Sequence, residues 1–132
     1  MDKSLDQLVR HRAANRCEYC LLQQRHSKLT FPIDHIVAKQ HGGSTCSENL
    51  ALCCGRCNYY KGPNIAGVDP QTHLLCRLFN PRIDQWHEHF EYRGATLFGL
   101  TDIGRTTVAV LKTNVPMRLA VRKALLDADG EF

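Results

Sequence analysis

Two cysteine pairs, Cys17-x-x-Cys20 and Cys54-x-x-Cys57, constrain this chain more than any other feature. A C-x-x-C knuckle delivers two sulfurs from one tight turn, and two knuckles supply the four soft ligands of a closed tetrahedral zinc site. Any fold must therefore bring residue 17 against residue 54 and tie shut the 33 residues from 21 to 53. The total of seven cysteines is odd, and the opening MDKSLDQLVRHRAANR has no signal-peptide core, so metal ligation is expected in place of a disulfide framework. Strand alternation along NLALCC turns Cys53 away from Cys54, and Cys53 is expected to pack as a small apolar residue. Cys46 and Cys76 are expected to remain unligated. The competing reading of the knuckles is thiol redox chemistry, but nothing around them has a thioredoxin-like βαβ pattern. Four thiolates leave a Zn²⁺ site net negative, which suits a structural role and not a phosphate anchor.

At 132 residues the chain reads as one domain, with a core of 1–62 and an accessory part, 63–132. Ser4 and Gln7 stand at capping-box spacing, and Leu5, Leu8, Val9 and Ala13 repeat with helical period, so a helix is expected over 5–16. LTFPIDHIV is rich in β-formers with Pro32 inside, and NLALCC returns after the turn chemistry of HGGSTCSEN, predicting a hairpin with a long loop. A short helix over 56–61 stops at Gly62-Pro63. GPNIAGVDPQTH is expected to be a loop. WHEHFEY alternates with period two, predicting a strand that turns at Arg93-Gly94 and pairs with 95–100. On that strand His87 and His89 share one face, with Trp86, Phe90 and Tyr92 on the other as core. Thr101 or Asp102 caps a helix to about Lys112, and Pro116 starts another to about Leu126. The fold class expected is α+β.

The net charge of +4 is unevenly spread. Residues 1–61 hold nine Lys or Arg against five Asp or Glu, while the remainder balances. That excess in the half carrying the cysteines suits contact with phosphates, although a solvated mixed surface explains so small a charge equally well. No apolar run approaches the ~20 residues needed to span a bilayer, so a cytoplasmic protein with no membrane partner is expected.

Asp34-His35 ends the first predicted strand. A carboxylate beside an imidazole is a metal ligand beside a base, provided the chain bends so that both serve one site. The run IDHIVAKQHGG, then Glu48-Asn49-Leu50, then Cys54-x-x-Cys57-Asn58-x-x-Lys61-Gly62, resembles the HNH nucleases, whose ββα-metal core cradles one divalent cation between a hairpin and a helix. The zinc knuckles, which many members carry, are part of the resemblance across 17–62. Similarity to a group of stand-alone bacterial HNH proteins continues through KGPNIAGVDP, LFNPRIDQWHEHF and GLTDIGRTTVAVL.

The resemblance implies a ββα-metal core with a four-cysteine zinc site, an N-terminal helix, and a C-terminal β-hairpin plus two helices. It implies that His35 is the general base, that Asp34 and Asn58 hold the cation, and that Asn49 ties the loop so that His35 points inward. Oxygen ligands of this kind suit Mg²⁺ or Mn²⁺. Some relatives carry histidine where this chain has Asn58, so a weaker, harder-ion site is implied here. Lys61, Arg56, Lys39 and Arg16 are candidate phosphate contacts. Asn58 also has a plain reading as a helix-start residue. The leading expectation is a metal-dependent endonuclease acting on DNA; no base-reading element in the sequence sets RNA aside. A zinc-stabilised nucleic-acid-binding module without catalysis is the alternative. Nothing in the chain fixes cleavage specificity or oligomeric state.

Overall fold

The computed structural model describes residues 1–132. Five α-helices and three two-stranded antiparallel sheets make up the fold. Helix α1 runs Lys3–Arg12 and is capped by Asp2, whose carboxylate accepts from the Ser4 backbone N–H. The expected capping box at Ser4 and Gln7 therefore gives way to a cap two residues earlier. The helix also ends sooner than 16, because Ala14 and Asn15 adopt left-handed backbone at φ 52° and 54°.

Strands β1 (Ile33–His35) and β2 (Leu50–Leu52) pair with Asp34 opposite Ala51 and His35 opposite Leu50. Pro32 stands just outside the ladder, with its carbonyl accepting from Cys53 N–H, as a proline at a strand end allows. Helix α2 spans Gly55–Lys61, and Gly62 follows it at φ 50°, a conformation that stops the helix there. The hairpin and α2 together form a ββα unit.

The segment 66–77 departs from expectation. It is a second hairpin, β3 (Ala66–Val68) with β4 (Leu75–Arg77), where only a loop was read. Its turn is organised by Asp69, whose carboxylate accepts from Gln71 N–H and Thr72 Oγ1 and pairs with Arg105 at 2.8 and 3.0 Å. Gly67 lies so close to the helix over Asp102–Val110 that a Cβ there would stand 2.5 Å from Val110 Cγ2.

The segment WHEHFEY also differs. Trp86–His89 is one helical turn, α3, and the strand β5 begins only at Phe90, running to Arg93 against β6 (Thr96–Gly99). His87 and His89 thus share no strand face; His89 instead meets Thr101 Oγ1 at 2.7 Å and stacks edge-on against Phe79. The aromatics are core, with Trp86 5.2 Å from Phe90 and stacked on Tyr92 at 5.9 Å. Helix α4 (Asp102–Val110) is capped by Thr101, and α5 (Pro116–Asp129) opens on its proline, both as read.

One core joins both parts of the chain, from Val9 through Leu50–Cys54 to Phe79, Phe90, Leu97 and Leu111. Trp86 Nε1 donates to Tyr19 O and Tyr92 Oη to Cys20 O, so accessory aromatics grip the first knuckle's backbone.

The pairing of buried Asp69 with half-buried Arg105 makes a pH prediction. The Arg105 guanidinium holds the Asp69 carboxyl well below its ordinary 3.8. A lowered folded-state value means stability present above the ordinary value and lost as pH falls through the folded one. Asp69→Asn is expected to be less stable than wild type near neutrality and to lose less on acidification below pH 3.8. Urea unfolding across pH reads both slopes.

Candidate active site and sulfur cluster

Each knuckle turns because its first cysteine receives a backbone N–H. Cys17 Sγ accepts from Cys20 N–H at 3.5 Å and Cys54 Sγ from Cys57 N–H at 3.4 Å, so Cys54 is also the N-cap of α2. The sulfurs of Cys17, Cys20, Cys54 and Cys57 lie within 4.8 Å of one another, all buried. Cys20 and Cys54 stand 3.7 Å apart, close to the roughly 3.8 Å edge of a tetrahedron with 2.3 Å zinc–sulfur bonds. The donor set fits zinc. Burial pushes the Cys17 thiol up, whereas hydrogen bonds from Cys17, Cys20 and Cys57 hold the Cys54 thiol down. Arg118 on α5 reaches in, with Nη2 3.1 Å from Cys57 Sγ and Nη1 donating to Leu111 O. Its charge offsets the thiolates and pins the last helix to the cluster. No sequence pattern marked Arg118. Cys53 is buried outside the four-sulfur group, and Cys46 and Cys76 are partly exposed and apart from it.

Asp34 and His35 follow the alternation of β1. Asp34 turns inward and is 5% exposed; its Oδ2 accepts from Tyr19 Oη at 2.8 Å and lies 3.1 Å from Lys61 Nζ. Burial raises the Asp34 carboxyl above its ordinary value, and the Lys61 charge partly offsets this. Lys61 is 1% exposed and also donates to the carbonyls of His35 and Ile36. One ammonium thus gathers the carboxylate and the chain turn that follows β1. The expected role of Lys61 as a phosphate contact is corrected here, because its charge is spent inside the fold. Tyr19, lying between the two cysteines of the first knuckle, is a further site residue missed in the sequence, although its position there was a usable signal.

His35 is half-buried, with Nε2 2.8 Å from Thr45 Oγ1. Asn49 clamps the loop: Oδ1 accepts from Val37 N–H, and Nδ2 donates to Val37 O and Ser44 O, at 2.9 to 3.0 Å. Asn58 is the fourth residue of α2, not its cap, so the helix-start reading falls. Its half-buried amide makes no hydrogen bond within the protein and retains an oxygen for a ligand.

Asp34 on β1 and Asn58 on α2 are a carboxylate and an amide, oxygen donors of the kind hard cations take. Asp34 Oδ1 is approached only by Lys61, at 3.3 Å, and keeps acceptor capacity. Among the other candidate phosphate contacts, Arg56 and Lys39 are exposed. Arg16 is not free: its Nη1 donates to Leu21 O and Phe132 O.

Residues 17–64 match the family model described as HNH endonuclease. That span contains the ββα unit, both knuckles and all of His35, Asp34, Asn49 and Asn58. No curated protein and no solved structure matches the chain.

Two measurements follow. Elemental analysis of purified protein is expected to find one zinc per chain, lost in Cys57→Ser together with cooperative unfolding. Lys61→Met is expected to cost about 3 to 5 kcal/mol, because it strands a buried carboxylate. Asp34→Asn combined with Lys61→Met should cost less than the two single changes summed, as denaturant titration of the cycle would read.

Proposed function

We propose that this chain, with its HNH segment at 17–64, is a metal-dependent endonuclease that hydrolyses phosphodiester bonds in DNA. The observation that carries this reading is the coincidence of the family match with a sulfur-stapled ββα unit, on which His35, Asp34 and Asn58 occupy β1 and α2. His35 takes a proton from water as the water oxygen attacks phosphorus. One P–O ester bond breaks, and the leaving oxygen is protonated, giving a phosphomonoester and a hydroxyl. Asp34 and Asn58 would hold one Mg²⁺ or Mn²⁺, which when bound stabilises charge on the phosphorus oxygens and the leaving oxygen. Asn49 holds the loop beside His35 through Val37 and Ser44. The exposed Arg56 and Lys39 offer phosphate contacts from α2 and from the loop after β1. Zinc in the sulfur cluster is structural.

The burial of Asp34 and its pairing with Lys61 and Tyr19 favour a second reading, a nucleic-acid-binding module without catalysis, in which the Lys61–Asp34 pair is architecture alone. Supercoiled plasmid with a panel of divalent metals separates the two. Cleavage by wild type is expected with Mg²⁺ or Mn²⁺, and His35→Ala is expected to lower it about 10²- to 10⁴-fold. Equal inertness of both proteins across metals and pH, with salt-sensitive DNA binding retained by both, supports the binding module.

A further inference from the structure

The hydroxyl of Thr45 is the one protein group hydrogen-bonded to the His35 ring, through Nε2 at 2.8 Å. Its own placement is unusually well determined for an exposed loop residue. Asn49 holds the carbonyls on either side of it: Nδ2 donates to Ser44 O at 2.9 Å, and the Asn49 backbone N–H donates to Cys46 O at 3.0 Å. Two residues earlier the chain passes so close to Val37 that a Cβ on Gly43 would stand 1.7 Å from Val37 O. The loop therefore has one path, and that path ends with Thr45 Oγ1 against the imidazole.

We propose that Thr45 is a positioning residue for His35, accepting from Nε2–H and so leaving Nδ1 as the ring's lone-pair nitrogen. In a neutral imidazole one nitrogen donates and the other accepts, and a hydrogen bond at one decides the role of the other. A hydroxyl can play either part, but Nε2 is engaged here and Nδ1 has no protein partner. Only the Nε2–H tautomer leaves an unobstructed lone pair for a proton from water. This inference rests on the nuclease reading for its catalytic consequence, while the tautomer itself does not. Asn49 then acts on the base through Thr45, two steps removed from the chemistry. Thr45 carries no motif signal; its neighbours Gly43 and Asn49 do.

The test pairs Thr45→Val, which keeps shape and loses the hydroxyl, with Thr45→Ser, which keeps it. Long-range proton–nitrogen spectra of histidine-labelled protein, taken with the ring neutral, are expected to show His35 as Nε2–H in wild type and Thr45→Ser, and as a tautomer mixture in Thr45→Val. On plasmid DNA the valine variant should lose about 10- to 100-fold in kcat with KM unchanged, the range that loss of an orienting partner costs metal-bound histidines; serine should restore most of it. An Nδ1–H ring in wild type, unaltered spectra in Thr45→Val, wild-type cleavage by Thr45→Val, or a serine variant as impaired as valine would each overturn the proposal. Should wild type cleave nothing, the nuclease reading fails, and the spectra alone still decide whether Thr45 sets the ring.

Discussion

The four-sulfur cluster is the constraint on which the rest of this molecule depends. Its β-strands in the ββα unit are three residues each, far too short to hold as an isolated hairpin in water. What fixes them is the convergence of two knuckles from opposite ends of the 33-residue loop. By loop-closure entropy, such a clip removes on the order of 4 kcal/mol of freedom from the unfolded chain. The cluster also reaches outward. Cys54 starts α2, Glu18 in the first knuckle accepts from Leu52 N–H through its side chain, and Arg118 brings α5 onto the sulfurs. Local turn, hairpin, helix and accessory helix are therefore linked through one small volume.

Beneath the hairpin a second polar centre does different work. Lys61, Asp34 and Tyr19 form a buried network in which the ammonium also collects the carbonyls of His35 and Ile36. Breaking such a network is costly even though its net contribution to stability is modest, since each member left alone is a desolvated polar group. Its value lies in position: it sets where β1 ends and hence which way His35 departs. The same ammonium also offsets the charge of the buried Asp34 carboxylate.

Much of this was legible from residues alone. The knuckle spacing, Cys53 as a packing residue, the Pro32-bounded hairpin, the stop at Gly62, and the Thr101 and Pro116 helix starts all rest on short-range rules of turn chemistry and alternation. Those rules act within a few residues and are visible as spacing. The segments that misled are those where a neighbour overrides them. Alternation in WHEHFEY suggested a strand, but Trp86 has to reach Tyr19 O and stack on Tyr92, and a helical turn places it there. GPNIAGVDPQTH looked like a loop because its pairing depends on Arg105 and Val110, which lie far along the chain from it.

The sequence by itself determined that four thiols would meet and that a hairpin and helix would flank them, because ligand chemistry and turn chemistry are written in residue type and spacing. Only the tertiary structure decided that Lys61 turns into the core, that Arg16 caps carbonyls, that Arg118 faces sulfur and that Thr45 meets His35. A long flexible side chain or a loop hydroxyl has no periodicity to betray its partner. Where it ends is set by which unsatisfied charge or acceptor the packed fold leaves within reach.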